Sequence, residues 1–385
     1  VWYPRQVQSV QHGNPEGPPD HWMEKSSTGP AKLSDEELYE NRADSLENMR
    51  IREMDDDWYR SRSPDWSKII VPFVTPMNWA GYGLHPRGNS EAFLRAASTE
   101  KWFEGHPGRH EEWFYLPYGM ELQKRFFDHY LKGEDNGWEK EPRAWLNLRR
   151  PFSDTFELRK EDDWPLKRTE WTRLFLDASA TTLDWSAPKT EASKSFEAMG
   201  DGLTWHAPPL EAETEITGPL ALKLFISSTT SDADFFITVQ AWSPDGTEVV
   251  FQGTLDPNTP IAQGWLRASH RKLDSEKTLY YRPYHTHDNK QPLIPHRIYE
   301  IDIEIWPTCI ILPSGYTLSI NIRGKDFERP GPDASPAFPT RGSGPFYHND
   351  AHDRPAETFA GTTTVHTGPD HDGHLLLPVI PAERG

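Results

Sequence analysis

From Arg143 onward the sequence breaks into short alternating or aromatic runs, each bounded by turn residues. They are AWLNLR, TRLFLDA, LALKLFISS, DFFITVQAW, GWLRASHRKL, RIYEIDIEIW, TLSINIRG and LLLPVIP. Residues alternating in character point to opposite faces of an extended strand, so each run reads as a strand with one face buried. SPDG at residues 243–246 is a turn signal between two of them. Many short strands with no helical period between them exclude a doubly wound domain and predict an antiparallel sandwich or jelly roll. The 35 Pro and 26 Gly fit a chain of many turns, and 16 Trp, 13 Tyr and 18 Phe supply core area although hydrophobic residues make up only 35%.

Upstream the pattern differs. Residues 14–31 are rich in Pro, Gly and Ser and predict an irregular excursion. A helical segment follows over residues 33–54, where Ser34 or Asp35 can cap and the carboxylates behind suit the positive end of the helix dipole. Residues 69–75 (IIVPFVT) read as a strand buried in a parallel sheet, and residues 90–98 as a helix laying Phe93, Leu94 and Ala97 on one face. A second strand is expected at residues 102–104, and an amphipathic helix over residues 116–131, stopped at Gly133. The composition changes past Glu141, which places a domain boundary near 150. A chain of 385 residues suits two or three domains.

With 41 basic and 59 acidic residues the formal charge is -18, which argues against nucleic acid and against an anionic membrane surface as partner. No apolar stretch approaches the ~20 residues needed to span a bilayer. The single Cys309, in WPTCIIL, forms no internal disulfide and reads as a buried structural thiol. It does not decide the compartment; a soluble protein, with the cytoplasm favoured, is the expectation. His and Asp gather in HND, HDRP and HTGPDHDGH, but without helical i, i+4 spacing, so solvated loops are expected there and no metal.

Residues 69–106 end on a histidine that a Ser-His-acid hydrolase could use as its base. The Gly-x-Ser-x-Gly turn that would present the nucleophile occurs nowhere in the chain, and RGSGPF around Ser343 lacks both the spacing and a preceding strand. The first residues, VWYPRQVQSVQHG, have the character neither of a signal peptide nor of a natural start, so a missing amino-terminal part is expected.

NWAGYGLHPRGNSEAFLRAAS, KWFEGH and ELQKRFFDHYLKGEDNGW resemble the post-nucleophile half of the CocE/NonD serine hydrolases, relatives of cocaine esterase, glutaryl acylases and X-Pro dipeptidyl-peptidase. GPLALKLFISSTTSDADFFITVQAWSPDG, HNDAHDRP and HLLLPVIP resemble that family's C-terminal X-Pro dipeptidyl-peptidase-like domain. The resemblance implies the C-terminal part of an α/β-hydrolase with a helical cap segment, followed by an all-β jelly-roll sandwich. On that map residues 1–150 are the hydrolase remnant, with the cap at about 14–62 and the last strands and helices at 66–140; residues 151–385 are the jelly roll.

It further implies His106 as catalytic base, with His110 as the alternative, and a serine supplied by a segment outside the chain. The family's acid, an Asp shortly after a strand-end Trp, is missing, because Trp79 is followed by Ala80, Gly81 and Tyr82. Glu91 and Asp65 are the candidate substitutes. Trp79, His85 and Arg87 are candidates for substrate contact, Arg87 as a carboxylate or carbonyl clamp. The substrate implied is a small acyl ester, amide or peptide; no cofactor is expected, and the partners expected are an N-terminal fragment or further copies of the chain. The chain alone is expected to be inactive. The competing expectation is a binding protein whose jelly roll recognises carbohydrate or a protein, although Trp242, Trp265 and Trp306 fall within strand runs and read as core.

Overall fold

Alternation along the strand runs is what builds the larger part of the molecule. The computed structural model describes residues 9–19, 26–42, 45–253, 256–331, 341, 342, 344 and 347–382, and Ser343 lies outside them. In chain order the elements are α1 (Asp35–Glu40), α2 (Ser45–Ile51), α3 (Asp57–Arg60), β1 (Phe73–Asn78), α4 (Pro86–Arg95), β2 (Lys101–His106), α5 (Glu112–Tyr115), α6 (Pro117–Lys132), β3 (Ala144–Leu148) and β4 (Glu157–Glu161). Then come β5 (Glu170–Asp177), β6 (Thr182–Asp184), β7 (Ala192–Glu197), β8 (Leu203–His206), β9 (Thr214–Ser228), β10 (Asp234–Trp242), β11 (Ala262–Arg267), β12 (Tyr299–Leu312), β13 (Thr317–Arg323), β14 (Thr362–Thr367) and β15 (His374–Ile380).

Nine strands close on themselves in the order β12-β11-β10-β13-β8-β6-β5-β15-β9, and β14 and β7 extend from β9. The ring is thin where β11 meets β12 and where β6 meets β8, each through one residue pair. It is therefore two antiparallel layers facing each other, the all-β sandwich expected from the turn-bounded runs. Leu220, Leu222, Leu224 and Ile226 of β9 face Phe235, Ile237 and Val239 of β10 across this core, with Ile301, Ile303 and Ile305 of β12 beside them.

A bulge in β12 joins this sandwich to the rest. Ile305 pairs with Leu220 and Thr308 with Gly218, so β12 carries one extra residue there. One added residue exchanges the two faces of a strand. Before the bulge the odd-numbered residues point into the sandwich; after it Ile310 and Leu312 do, while Cys309 and Ile311 point out. There they meet Met77, Trp79, Phe103, Leu146 and Trp164 in a second core. Cys309 is fully buried, as expected, and burial pushes its thiol up to about 12.

That second core belongs to a four-stranded sheet, β1-β2-β3-β4, in which β1, β2 and β3 run parallel and β4 antiparallel. The sheet runs on through β4 to Glu161, across the boundary expected near 150. One face carries α4, through Phe93, and the sandwich. The other carries α6, whose Tyr118, Leu122, Phe126 and Tyr130, four residues apart, cover Trp102, Trp138 and Trp145. As expected, α6 stops at Gly133, which sits at φ 71° where a side chain would be strained.

Three local expectations differ from the structure. The first strand begins at Phe73, because pairing with β2 starts at Lys101 and Pro72 has no N–H to give; Ile70 and Val71 are exposed. The helix expected at 90–98 begins earlier, at Pro86, whose fixed φ suits a first helical position. The helical segment expected over 33–54 is two helices. Ser34 caps the first in a capping box with Glu37, and Asn41 ends it by bonding the Glu37 carbonyl through its own side chain, 2.8 Å. Only Leu38 of α1 is buried, which leaves little packing to carry the helix further.

Candidate functional site

The site lies at the carboxyl ends of β1 and β2, where open parallel sheets bind ligands. Asn78, the last residue of β1, pairs with His106, the last of β2. The turn beyond is fixed by Asn78, whose Nδ2 donates to the Gly108 carbonyl at 2.7 Å, and by Trp79, whose backbone N–H donates to the His106 carbonyl at 2.8 Å.

On β2, Glu104, Gly105 and His106 alternate, so Glu104 and His106 emerge side by side on the α6 face. His106 Nδ1 and Glu104 Oε2 are 2.7 Å apart, with both side chains buried. The other Glu104 oxygen, Oε1, accepts from Asn147 Nδ2 at 3.0 Å and from the Tyr118 hydroxyl at 3.3 Å. Burial, and then the charge of Glu104, push the Tyr118 phenol well above its usual range, which keeps it a donor. His106 lies parallel to the Trp113 indole with centroids 5.8 Å apart, and its Nε2 is buried without a partner among the described residues. The imidazole is thus held on one nitrogen and unpartnered on the other among the described residues.

Gly105 between them has a packing reason. A Cβ there would stand 2.0 Å from the Trp79 ring. Trp79, a candidate for substrate contact on sequence grounds, is instead completely buried, with its Nε1 donating to the Asn147 carbonyl at 3.0 Å. It supports the back of β2 while Asn147 supports the front.

The other candidates separate. His110 stacks on His85, centroids 4.6 Å apart, and burial followed by the neighbouring His85 and His106 lowers its pKa. These three histidines therefore sit close together, but the one with an oriented ring is His106. Arg87 turns away to the sandwich, where its Nε donates to Glu304 at 2.8 Å over the Tyr284 ring. It borders a cleft of about 770 Å³ together with His285, Trp265 and Trp306. Glu91 is paired with Arg282 and Arg95, and Asp65 is exposed, accepting from Ser67 and Lys68; neither touches His106. The sequence reading missed Glu104, Tyr118 and Asn147. The signal for the contact between Glu104 and His106 is the Glu-Gly-His triplet on a strand, which puts the first and third side chains on one face.

Trp242, Trp265 and Trp306 are half-buried and lie against the sandwich. Trp242 donates to Ser319 at 2.8 Å, and Trp265 and Trp306 meet edge to face at 5.3 Å. No described helix is long and apolar enough to cross a membrane.

Compared with known proteins, residues 136–376 match the model of the X-Pro dipeptidyl-peptidase C-terminal non-catalytic domain. A CocE/NonD family hydrolase from Staphylococcus aureus superposes with a TM-score of 0.80 at 28% identity, covering 89% of this chain and 61% of that one. Cocaine esterase from Rhodococcus is 22% identical over 297 residues, 67% of this chain and 45% of that protein. A Mycobacterium bovis relative with a provisional serine-esterase name is 28% identical over 237 residues, 52% of this chain and 35% of its own length. The chain thus matches less than half the length of these curated relatives.

Proposed function

The chain belongs to the CocE/NonD hydrolases and carries the X-Pro dipeptidyl-peptidase C-terminal domain; on that premise we propose that it is the C-terminal portion of a serine hydrolase that cleaves an ester or an amide, dipeptidyl-peptide bonds included. On this reading the four-stranded sheet with α4 and α6 is the end of an α/β-hydrolase domain, α1 to α3 belong to its cap, and the sandwich is its jelly-roll companion. The observation that carries it is His106, buried at a strand end, held through Nδ1 and without a partner at Nε2 among the described residues.

The chemistry follows from that orientation. A serine hydroxyl, brought to Nε2 by polypeptide outside these 385 residues, attacks the substrate carbonyl while His106 takes its proton. His106 then returns the proton to the departing alcohol or amine, leaving an acyl-enzyme. Water, deprotonated by the same nitrogen, releases the acid. The carbohydrate-binding alternative draws less support, since Trp265 and Trp306 pack against the sandwich core and the indole N–H of Trp242 is held by Ser319.

The test is turnover of a small acyl ester and labelling by a fluorophosphonate, for the 385-residue chain and for the product of the longer coding region. The longer protein is expected to turn over and label, and His106→Ala to reduce its turnover by about 10⁴-fold. Turnover by the 385-residue chain that survives replacement of both His106 and His110 by alanine would refute the reading.

A further inference from the structure

We propose that Glu104 is the acid of the catalytic triad, so that acid and base stand two residues apart on one strand and the loop after Trp79 contributes none. The inference rests on the reading of His106 as base and adds the group that orients it. Three independent features converge on Glu104. The first is distance: Oε2 lies 2.7 Å from His106 Nδ1. The second is that the carboxylate is itself fixed, because Oε1 accepts from Asn147, which also donates to the Gly105 carbonyl at 3.0 Å, and from Tyr118. The third is that the other sources of an acid are committed. The loop after Trp79 offers Ala80, Gly81 and Tyr82, and the Tyr82 hydroxyl is bonded to the Ile261 carbonyl. Glu91 is held by Arg282 and Arg95, and Asp65 by Lys68.

Glu104 is a positioning residue, acting through His106. Among the described residues its one ion-pair partner is His106, so no arginine or lysine neutralises it. A buried carboxylate in that position holds the proton on Nδ1 and leaves Nε2 as the acceptor facing the hydroxyl. When Nε2 takes the serine proton, the same carboxylate stabilises the imidazolium that forms. Asn147 and Tyr118 donate to the carboxylate without sharing its charge, which fixes its rotamer while leaving the charge to His106. The pleat of β2 does what a loop must otherwise do, because residues two apart on a strand share a face at a fixed spacing.

The experiment uses the longer, active protein and steady-state turnover of an acyl ester. Glu104→Gln, which keeps the shape and removes the charge, is expected to lower kcat by about 10³- to 10⁴-fold with KM little changed. Glu104→Asp, which restores the charge one methylene back, is expected to recover part of that loss. If His106→Ala abolishes turnover while Glu104→Gln keeps kcat within about tenfold, the acid assignment falls and the base assignment stands. If His106→Ala leaves turnover intact, both fall. A measurement on the wild-type 385-residue chain guards against variants that do not fold: nitrogen-15 NMR of the His106 ring is expected to find the proton on Nδ1 and Nε2 bare. The opposite tautomer overturns the proposal.

Discussion

Gly105 sets the tolerance of the site at the scale of single residues. With the Trp79 ring 2.0 Å from any Cβ at that position, Gly105→Ala must displace either the indole or β2, and both carry groups that hold Glu104 and His106. Overpacking of this kind costs about 3 kcal/mol. Gly105→Ala is therefore expected to lower the denaturant midpoint and, in the active protein, to lose more turnover than the folded fraction accounts for. Cys309 gives a second outcome. Burial pushes its thiol up to about 12, so a disulfide-exchange reagent at pH 8 is expected to find no reactive thiol in the native protein and one after denaturation. That thiol was legible from WPTCIIL alone, because an apolar run with no partner cysteine leaves burial as its natural state. The place of His106 at a strand end was legible too. The surroundings of Glu104 were not, because a sequence does not display what stands across the strands: Tyr118 from a helix and Asn147 from β3.

Among the elements, the junction between the four-stranded sheet and the sandwich turns on the β12 bulge and on Arg149, just after β3. Arg149 is fully buried, and its partners among the described residues are neutral oxygens: the Cys309 carbonyl at 3.0 Å and Thr308 Oγ1 at 2.7 Å, with the Phe251 ring under the guanidinium. Burial lowers its pKa. A buried charge without a counterion is costly, whereas its aliphatic stem fills space. Arg149→Met, which keeps the stem, is expected to stay within about 1 kcal/mol of wild type or exceed it, and Arg149→Ala to lose about 3 kcal/mol, both read from chemical denaturation. The strongly alternating strands β9, β10, β12 and β13 were legible in the sequence. The strands missed were β4, β6, β7, β8 and β14: β4 and β7, reading ELRKE and ASKSFE, are largely exposed and lack apolar alternation, and β6, β8 and β14, reading TLD, LTWH and TTTVHT, are short or largely polar. They pair because a neighbour offers an edge, and that is a property of the assembled sheet. The β12 bulge was equally hidden, since the continuous apolar run around Cys309 shows no period from which a change of face could be read.

Across the whole molecule, the cleft between α2, α3 and the sandwich carries a pH dependence through His285. Burial, with His287 next, pulls its imidazole down to about 4, so the folded protein keeps it neutral where the unfolded chain, near 6.5, takes up a proton. The unfolded state then binds more protons between these values, and stability falls as pH drops from about 6.5 to 4. The loss reaches about 3 kcal/mol for this one group. Melting temperatures of wild type and His285→Gln, compared across that range, are expected to converge as the pH falls; parallel curves would remove His285 as the cause. The strand β9 has a different kind of consequence. One of its edges is covered by β12, and the other is shared by β15 and β14, so its neighbours come from residues 299–312, 374–380 and 362–367. A chain leaving the ribosome leaves one edge of β9 unpaired until residues 299–312 are made and the other until residues 362–380 follow, well over a hundred residues after β9. Closure of the ring therefore waits for nearly the whole chain, and folding is expected to be slow and late, with a strand edge of β9 left unpaired until β15 arrives.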